Sequence, residues 1–458
     1  MSEVNYPLNG GLSLECFDLD GPFSDLNEPS FSFRGSAPDS LSKGQNVPEL
    51  GQLEWNSLER SRPRFQTDEK ERRILDGAEF RAFGRTGSDR VKRTDFGFSL
   101  RTSPMIPLPD PIMICGQGLA GTLLAWELVR LGSRVVVVDP GETVTSSKVA
   151  AGIVTPITGK RVALSHEAGT FLPEALACYA ESYRVLGRAH FHERRQVRLW
   201  RNAEEPQRFA AKHGQPEFEA HVAPARGAPL VDLTKFKGAG EGFEMATSGW
   251  LDTRNWLADS AAWLESRGML RRGRLEAASL RPDALGVTLP DGERMAAVVF
   301  CEGAEARRNP WFPWVTWKCA KGEILSLSIP DLAGERRIVN HGGWLLPMDG
   351  AGSFRTGSTY TWDELDQVPT AAARAELEER LGRLLRVPWT VTGHEAAVRP
   401  IIHQSLARMG RHPVHRTLAF FNGLGSKGVL HGPRYARLLA EHLVHGTALP
   451  MELDVAGN

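Results

Sequence analysis

Along this chain the apolar positions change character abruptly near residue 110. Residues 1–108 are rich in Ser, Gly, Pro, Asp and Arg, and their apolar residues keep neither a helical nor a strand period. A short helix within 57–83 is the one periodic candidate there, and it offers no core; a disordered leader is the expectation. Met105, just ahead of the first strand, is an alternative start of the chain, so whether 1–108 belong to the mature protein stays open. From residue 111 the pattern is dense. PIMIC (111–115) is apolar throughout, TLLAWELVRLG (122–132) keeps helical spacing and ends on Gly, and SRVVVVD (133–139) is again continuously apolar. Uninterrupted apolar strands suit a parallel sheet covered on both faces, and the terminal Gly suits a left-handed helix end. These segments predict a strand-turn-helix-strand unit.

Further on, helical spacing predicts helices at 174–190, 253–268, 371–385 and 433–444. Strands are predicted within 271–304, with the PDG at 290–292 as a hairpin turn, and at 322–329, 342–348 and 353–360. The fold class that follows is α/β: a Rossmann-type nucleotide-binding domain with an interleaved strand-rich (α+β) domain. The nucleotide-binding domain is expected over 109–165, 251–310 and 395–458, and the second domain over 166–250 and 311–394.

Composition narrows the function classes. Lys+Arg and Asp+Glu are equal at 55 each, so no overall field draws the chain to nucleic acid or an anionic membrane. Five scattered cysteines without a CxxC pair, and 13 histidines without HExxH, exclude a disulfide framework and predict no metal site. There is no signal-peptide pattern and no apolar run approaching the roughly 20 residues of a membrane span. A cytoplasmic protein is expected.

Gly116, Gly118 and Gly121 form GxGxxG, with Leu119 and Ala120 between the second and third glycines. The first Gly permits the turn, the second lets backbone approach a pyrophosphate, and the third lets helix pack on strand. The helix N-terminus that follows presents free N–H groups to phosphate oxygens. Asp139 ends the second strand, where a carboxylate accepts from a ribose diol and disfavours a 2′-phosphate. This unit alone leaves NAD and FAD both open.

The next residues, Ser146-Ser147-Lys148-Val149-Ala150-Ala151-Gly152, followed by Pro156, resemble the SSxxAAGxxxP segment of the D-amino-acid oxidase/glycine oxidase family. Three further stretches resemble that family in the same chain order. They are VVFCEGAEA (298–306) with Gly303, HEAAVRP (394–400) with Arg399, and FNGLGSKGVLHGP (421–433) with Gly425, Lys427 and Gly428. The resemblance implies FAD as cofactor, held by the GxGxxG turn, Asp139, Ser147, Ala150, Ala151, Gly152, Gly303, Gly425 and Gly428. It implies Arg399 as anchor of a substrate carboxylate, and Lys427 as the charge facing the N1/C2=O edge of flavin. Two departures stand out: Cys301-Glu302 replaces small residues, and Ser426-Lys427 stands where glycine oxidase carries a second Arg.

The implied reaction is oxidation of a small amine or amino acid. Hydride leaves the carbon next to nitrogen for flavin N5, giving an imine, and oxygen or another acceptor then reoxidises the flavin. Alternatives from other classes are a flavin-dependent oxidase of a tRNA base and a non-catalytic flavin-binding subunit of a larger dehydrogenase; no nucleic-acid partner is expected. Arg355, and the aromatic cluster Trp311, Phe312, Trp314 and Trp317, are weighed as a basic flavin neighbour and a substrate wall; packing is the expectation for the cluster. Nothing in the spacing of Cys301 or Cys319 favours a covalent flavin.

Overall fold

The computed structural model describes residues 110–458, apart from His166, Ala225, Arg226, Asp349 and Asn458, and the backbone of 4–8 and 12–16. Those two N-terminal segments are antiparallel strands, Val4–Leu8 with Leu12–Cys16. The remaining expectations for 1–108, the disordered leader, the helix within 57–83 and the start at Met105, lie outside the described residues.

The elements that position the site are, in chain order, β1 (Ile112–Cys115), α1 (Leu119–Arg130), β2 (Val135–Asp139), α2 (Ala168–Leu186), β3 (Gln196–Leu199), β4 (Gly242–Met245), α3 (Thr253–Glu265) and β5 (Leu270–Arg272). There follow β6 (Ala297–Phe300), β7 (Ala320–Ser328), β8 (Ile338–Asn340), β9 (Trp344–Pro347), β10 (Ser353–Gly357), α4 (Ala371–Leu384), β11 (Thr390–Arg399), β12 (Arg408–Arg411), β13 (Leu418–Asn422) and α5 (Gly428–His445). One sheet has six strands in the order β5-β2-β1-β6-β13-β12, parallel except for β12. A second has seven strands in the order β4-β3-β8-β9-β10-β7-β11, antiparallel except for the β3–β8 pair.

The six-stranded sheet is covered on both faces, as its apolar strands require. On one face α1, α2, α3 and α5 bury Leu124, Tyr179, Trp256 and Leu439 against Val137 and Phe421. On the other, Met113, Phe300 and Phe420 pack with Val287 and Met295 of the small meander that contains the PDG turn. The aromatic cluster belongs here. Phe312 is buried in this core with Trp311 and Trp317 against it, and Trp314 donates to the Val455 carbonyl at 3.0 Å, so none of the four forms a substrate wall. In the second domain α4, capped by Thr370, lays Leu377, Leu381 and Leu384 on the seven-stranded sheet.

Packing divides the chain somewhat differently from the pattern of its sequence. Helix α2, expected in the second domain, shares its core with α5, while residues 395–399 run within the seven-stranded sheet. Helix α5 starts at Gly428, ahead of the expected 433, although Pro433 lies inside it. Pro433 has no N–H to offer the Val429 carbonyl one turn earlier, and the buried Tyr179 hydroxyl donates to that oxygen instead, at 2.8 Å. Among the described residues no helix is long and apolar enough to cross a membrane.

Candidate active site

A cavity of about 700 Å³ opens where β1, β2, β6 and β13 end, at Gly116, Asp139, Cys301–Gly303 and Asn422. Ligands of open parallel sheets bind at the carboxyl ends of the strands. Gly116 has φ +105°, and a Cβ there would meet the Cys301 carbonyl at 2.5 Å. A Cβ on Gly121 would run into the Gly116 carbonyl, so this glycine makes room for the turn without itself lining the cavity. Gly118, Leu119 and Ala120 line it. No acidic residue occupies the first turn of α1 and its N-cap, Gly118, has no side chain of its own to cap it, which leaves that end suited to phosphate. Asp139 lines the cavity while its carboxylate accepts from the Gln117 and Gly141 backbone, each at 2.7 Å. The acid expected to meet a ribose thus also closes the turn.

Ser147, Ala150, Ala151 and Gly152 form the next wall. The Ser147 hydroxyl accepts from Leu119 N at 3.0 Å, tying this loop to the start of α1. Gly152 has φ +72°, and a Cβ there would run into the Leu251 carbonyl. Arg355 is a strut beneath the loop. Its guanidinium donates to the Val149 carbonyl at 2.7 Å and the Ala150 carbonyl at 3.3 Å, and does not line the cavity. Gly303, Gly425 and Gly428 complete the lining. Asn422 Nδ2 donates to the Gly303 carbonyl at 3.0 Å, and Gly425 N donates to the Pro400 carbonyl at 3.2 Å. These two bonds hold three separate chain segments at one place. Glu302 sits beside them, accepting from Asn309 Nδ2 at 2.8 Å, and burial raises its pKa.

Two cations enter the same cavity. Arg399, at the end of β11, donates to Ser358 Oγ at 2.6 Å and to the Thr359 carbonyl at 3.2 Å, and lies 4.1 Å from the centre of the Tyr360 ring. A Cβ on Gly322 would collide with the guanidinium, so that glycine clears its path. Lys427, the N-cap of α5, reaches Ser165 Oγ at 3.1 Å and Thr158 Oγ1 at 3.4 Å. Burial lowers the pKa of both. Among the described residues no carboxylate forms an ion pair with either side chain. The sequence reading missed Ser358 and Tyr360, and with them Arg198, Arg201 and Arg380 on the far wall. The polar STY that ends the predicted strand 353–360 was the one local signal for Ser358 and Tyr360.

A parallel sheet with a glycine turn at its carboxyl edge, joined through one cavity to an antiparallel domain bearing an arginine without a carboxylate partner, defines a two-domain nucleotide-cofactor enzyme. The comparisons with known proteins agree. The family model for FAD-dependent oxidoreductases (DAO) matches residues 111–442. Glycine oxidase from Geobacillus kaustophilus superposes with a TM-score of 0.62 at 20% identity, over 74% of this chain and 96% of that one. Iminodiacetate oxidase from a Chelativorans strain gives 0.62 at 21% identity, over 74% and 97%. L-amino acid deaminase from Proteus vulgaris gives 0.62 at 16% identity, over 78% and 96%. The chain belongs to the FAD-dependent oxidoreductase (DAO) family. It is a flavoenzyme with FAD as its cofactor, and the glycine cradle and acid-free helix end fit that dinucleotide.

Proposed function

We propose that this flavoenzyme oxidises a small amine or amino acid at the carbon next to nitrogen, releasing an imine. The observation that carries the reading is Arg399, a half-buried guanidinium that faces the cofactor cavity with no carboxylate of the described residues paired to it. A cation desolvated in this way favours an anion, and a guanidinium receives a carboxylate through two parallel N–H bonds. The neighbours by fold include oxidases and deaminases of amino acids, which supports the same substrate class. Within this reading the GxGxxG turn and α1 hold the diphosphate, and Asp139 meets the ribose. Ser147, Ala150–Gly152, Gly425 and Gly428 would hold the ring system through their backbone, and Gly303 would let the chain approach the nucleotide. Lys427 would supply a positive charge to that ring system.

Flavin, when bound, accepts the hydride, which leaves the protein the tasks of orientation and proton control. Arg399 holds the carboxylate, Ser358 fixes the guanidinium, and the Tyr360 ring covers it. The apolar lining from Val149, Ile324 and Leu424 excludes water, favouring a neutral amine nitrogen. Domains 109–165, 251–310 and 395–458 are read as FAD-binding and 166–250 and 311–394 as substrate-binding, with α2 joined to the former by its packing. The test is anaerobic titration of the purified holoenzyme with amino acids and N-methyl amines. Bleaching of the flavin bands by members of this panel is expected, and a flavin that none of them reduces would refute the reading.

A further inference from the structure

Charge is unevenly distributed along the cavity, and Arg274, a lining cation at the nucleotide half, is paired to Glu142 at 2.7 Å. The acidic lining residues, Asp139, Glu142, Glu302 and Glu305, all follow the strand ends at the nucleotide half. The substrate half carries cations. Beyond Arg399, Ser358 links to a second arginine, because its carbonyl accepts from Arg380 Nη1 at 3.2 Å. Further along the same wall, Arg198 and Arg201 share one fully buried carboxylate, Glu205, whose Oε1 accepts from Arg198 Nη2 and Arg201 Nε at 2.9 Å each. Arg198 is itself 5% exposed, donates to the Gly159 carbonyl at 2.8 Å, and leaves its Nε without a partner. Lys160 stands on the exposed hairpin tip at the same end.

We infer that Lys160, Arg198 and Arg201 form a second anion subsite, and that the substrate is an amino acid bearing a second carboxylate remote from the one on Arg399. This inference rests on the amine-oxidising reading above. One buried and one half-buried guanidinium on a single carboxylate are under-compensated, and an excess charge held partly out of water is stabilised by a counter-ion from the ligand. Two arginines less Glu205 leave one positive charge on the inner part of this wall, which a carboxylate matches, and the exposed Lys160 adds a second, solvent-screened charge at its tip. Gly342 fits the arrangement, because a Cβ there would stand 3.3 Å from Arg201 Cδ and crowd the guanidinium wall.

The test compares aspartate, glutamate and N-(carboxymethyl) amino acids with glycine, alanine and sarcosine in anaerobic reduction of the holoenzyme. The best dicarboxylic amine is expected to exceed its monocarboxylic counterpart in kcat/KM by roughly tenfold or more. Arg201→Gln leaves Arg198 to pair with Glu205, and Lys160→Gln alters an exposed tip; each is expected to cut that preference about tenfold or several-fold, respectively. Binding is read separately from the visible spectrum of the oxidised holoenzyme, titrated with succinate and glutarate against acetate. Dicarboxylates that perturb the flavin no more tightly than acetate, or a preference unchanged in both variants, overturn the subsite. Competition by tRNA without competition by dicarboxylates overturns it in favour of a nucleic-acid ligand. Failure of every amine to reduce the flavin, with tight dicarboxylate binding retained, overturns only the proposed reaction.

Discussion

Replacing Arg399 by Met separates a substrate anchor from a structural tie, because one role predicts a loss of kcat/KM and the other a loss of stability. In the free enzyme the guanidinium makes two good hydrogen bonds, to Ser358 Oγ at 2.6 Å and the Thr359 carbonyl at 3.2 Å, and covers the Tyr360 ring at 4.1 Å. Two such bonds contribute about 0.5–1.5 kcal/mol each, and the ring contact about 1 kcal/mol. Against them stands the desolvation of a cation with no paired carboxylate, which amounts to several kcal/mol. The two sides nearly cancel, so Arg399→Met is expected to change folding stability by only about 1 kcal/mol in either direction. The substrate carboxylate loses two charge-assisted bonds, about 3–4 kcal/mol together, which is roughly a 100- to 1000-fold loss in kcat/KM. Denaturant melts and stopped-flow flavin reduction measure the two quantities on the same preparation. A variant destabilised by several kcal/mol, whose correctly folded fraction still reduces its flavin at the wild-type kcat/KM, would refute the anchor.

Three further outcomes follow from the cofactor side of the cavity. Gly121→Ala forces a Cβ into the Gly116 carbonyl, and the strain of about 1–3 kcal/mol is expected to weaken FAD binding by roughly 10- to 100-fold, read by fluorescence titration of the apoprotein. Lys427 titrates below the ordinary lysine value of 10.5 because of burial. Apoprotein stability should therefore rise with pH between its folded and unfolded pKa, while activity that needs the ammonium falls over that window; Lys427→Met should remove both trends in melts and pH–rate profiles. Burial holds the Glu302 pKa up, so its contribution to stability is present below the ordinary value of 4.5 and is lost as pH rises through the folded value. Its ionised form also opposes a nearby pyrophosphate, and Glu302→Gln is expected to tighten FAD several-fold near neutral pH and flatten the pH dependence of FAD affinity.

The nucleotide half of the molecule was legible in the sequence because its chemistry is local. The turn at Gly116–Gly121, the continuous apolar run of β2 and Asp139 all lie within one short stretch, and each residue type is demanded by backbone geometry that the neighbours impose. Helix lengths were less legible where a distant residue decides them. Helix α5 extends across Pro433 because Tyr179, 250 positions upstream of Val429, supplies the missing donor. No window of local sequence contains that bond.

The substrate half was legible only at Arg399 and Lys427, which lie next to glycines and a proline that resemble a family pattern. Arg198, Arg201 and Arg380 carry no such frame. Arg198 sits in β3 between Val197 and Leu199, where the polar-apolar alternation of QVRL reads as a half-exposed strand although all four residues are buried, and Arg380 repeats at helical spacing with Glu376 like any solvated pair. What distinguishes these arginines is the company they keep across the sheet and the hairpin: Gly159, Glu205, Ser358 and an open cavity. The anion affinity proposed here belongs to that unbalanced group rather than to any one side chain. A neutral total of charges along the chain therefore coexists with a local excess of arginine on one cavity wall, and the net charge of zero that argues against a polyanionic partner for the whole protein leaves the proposed acidic substrate for this cavity untouched.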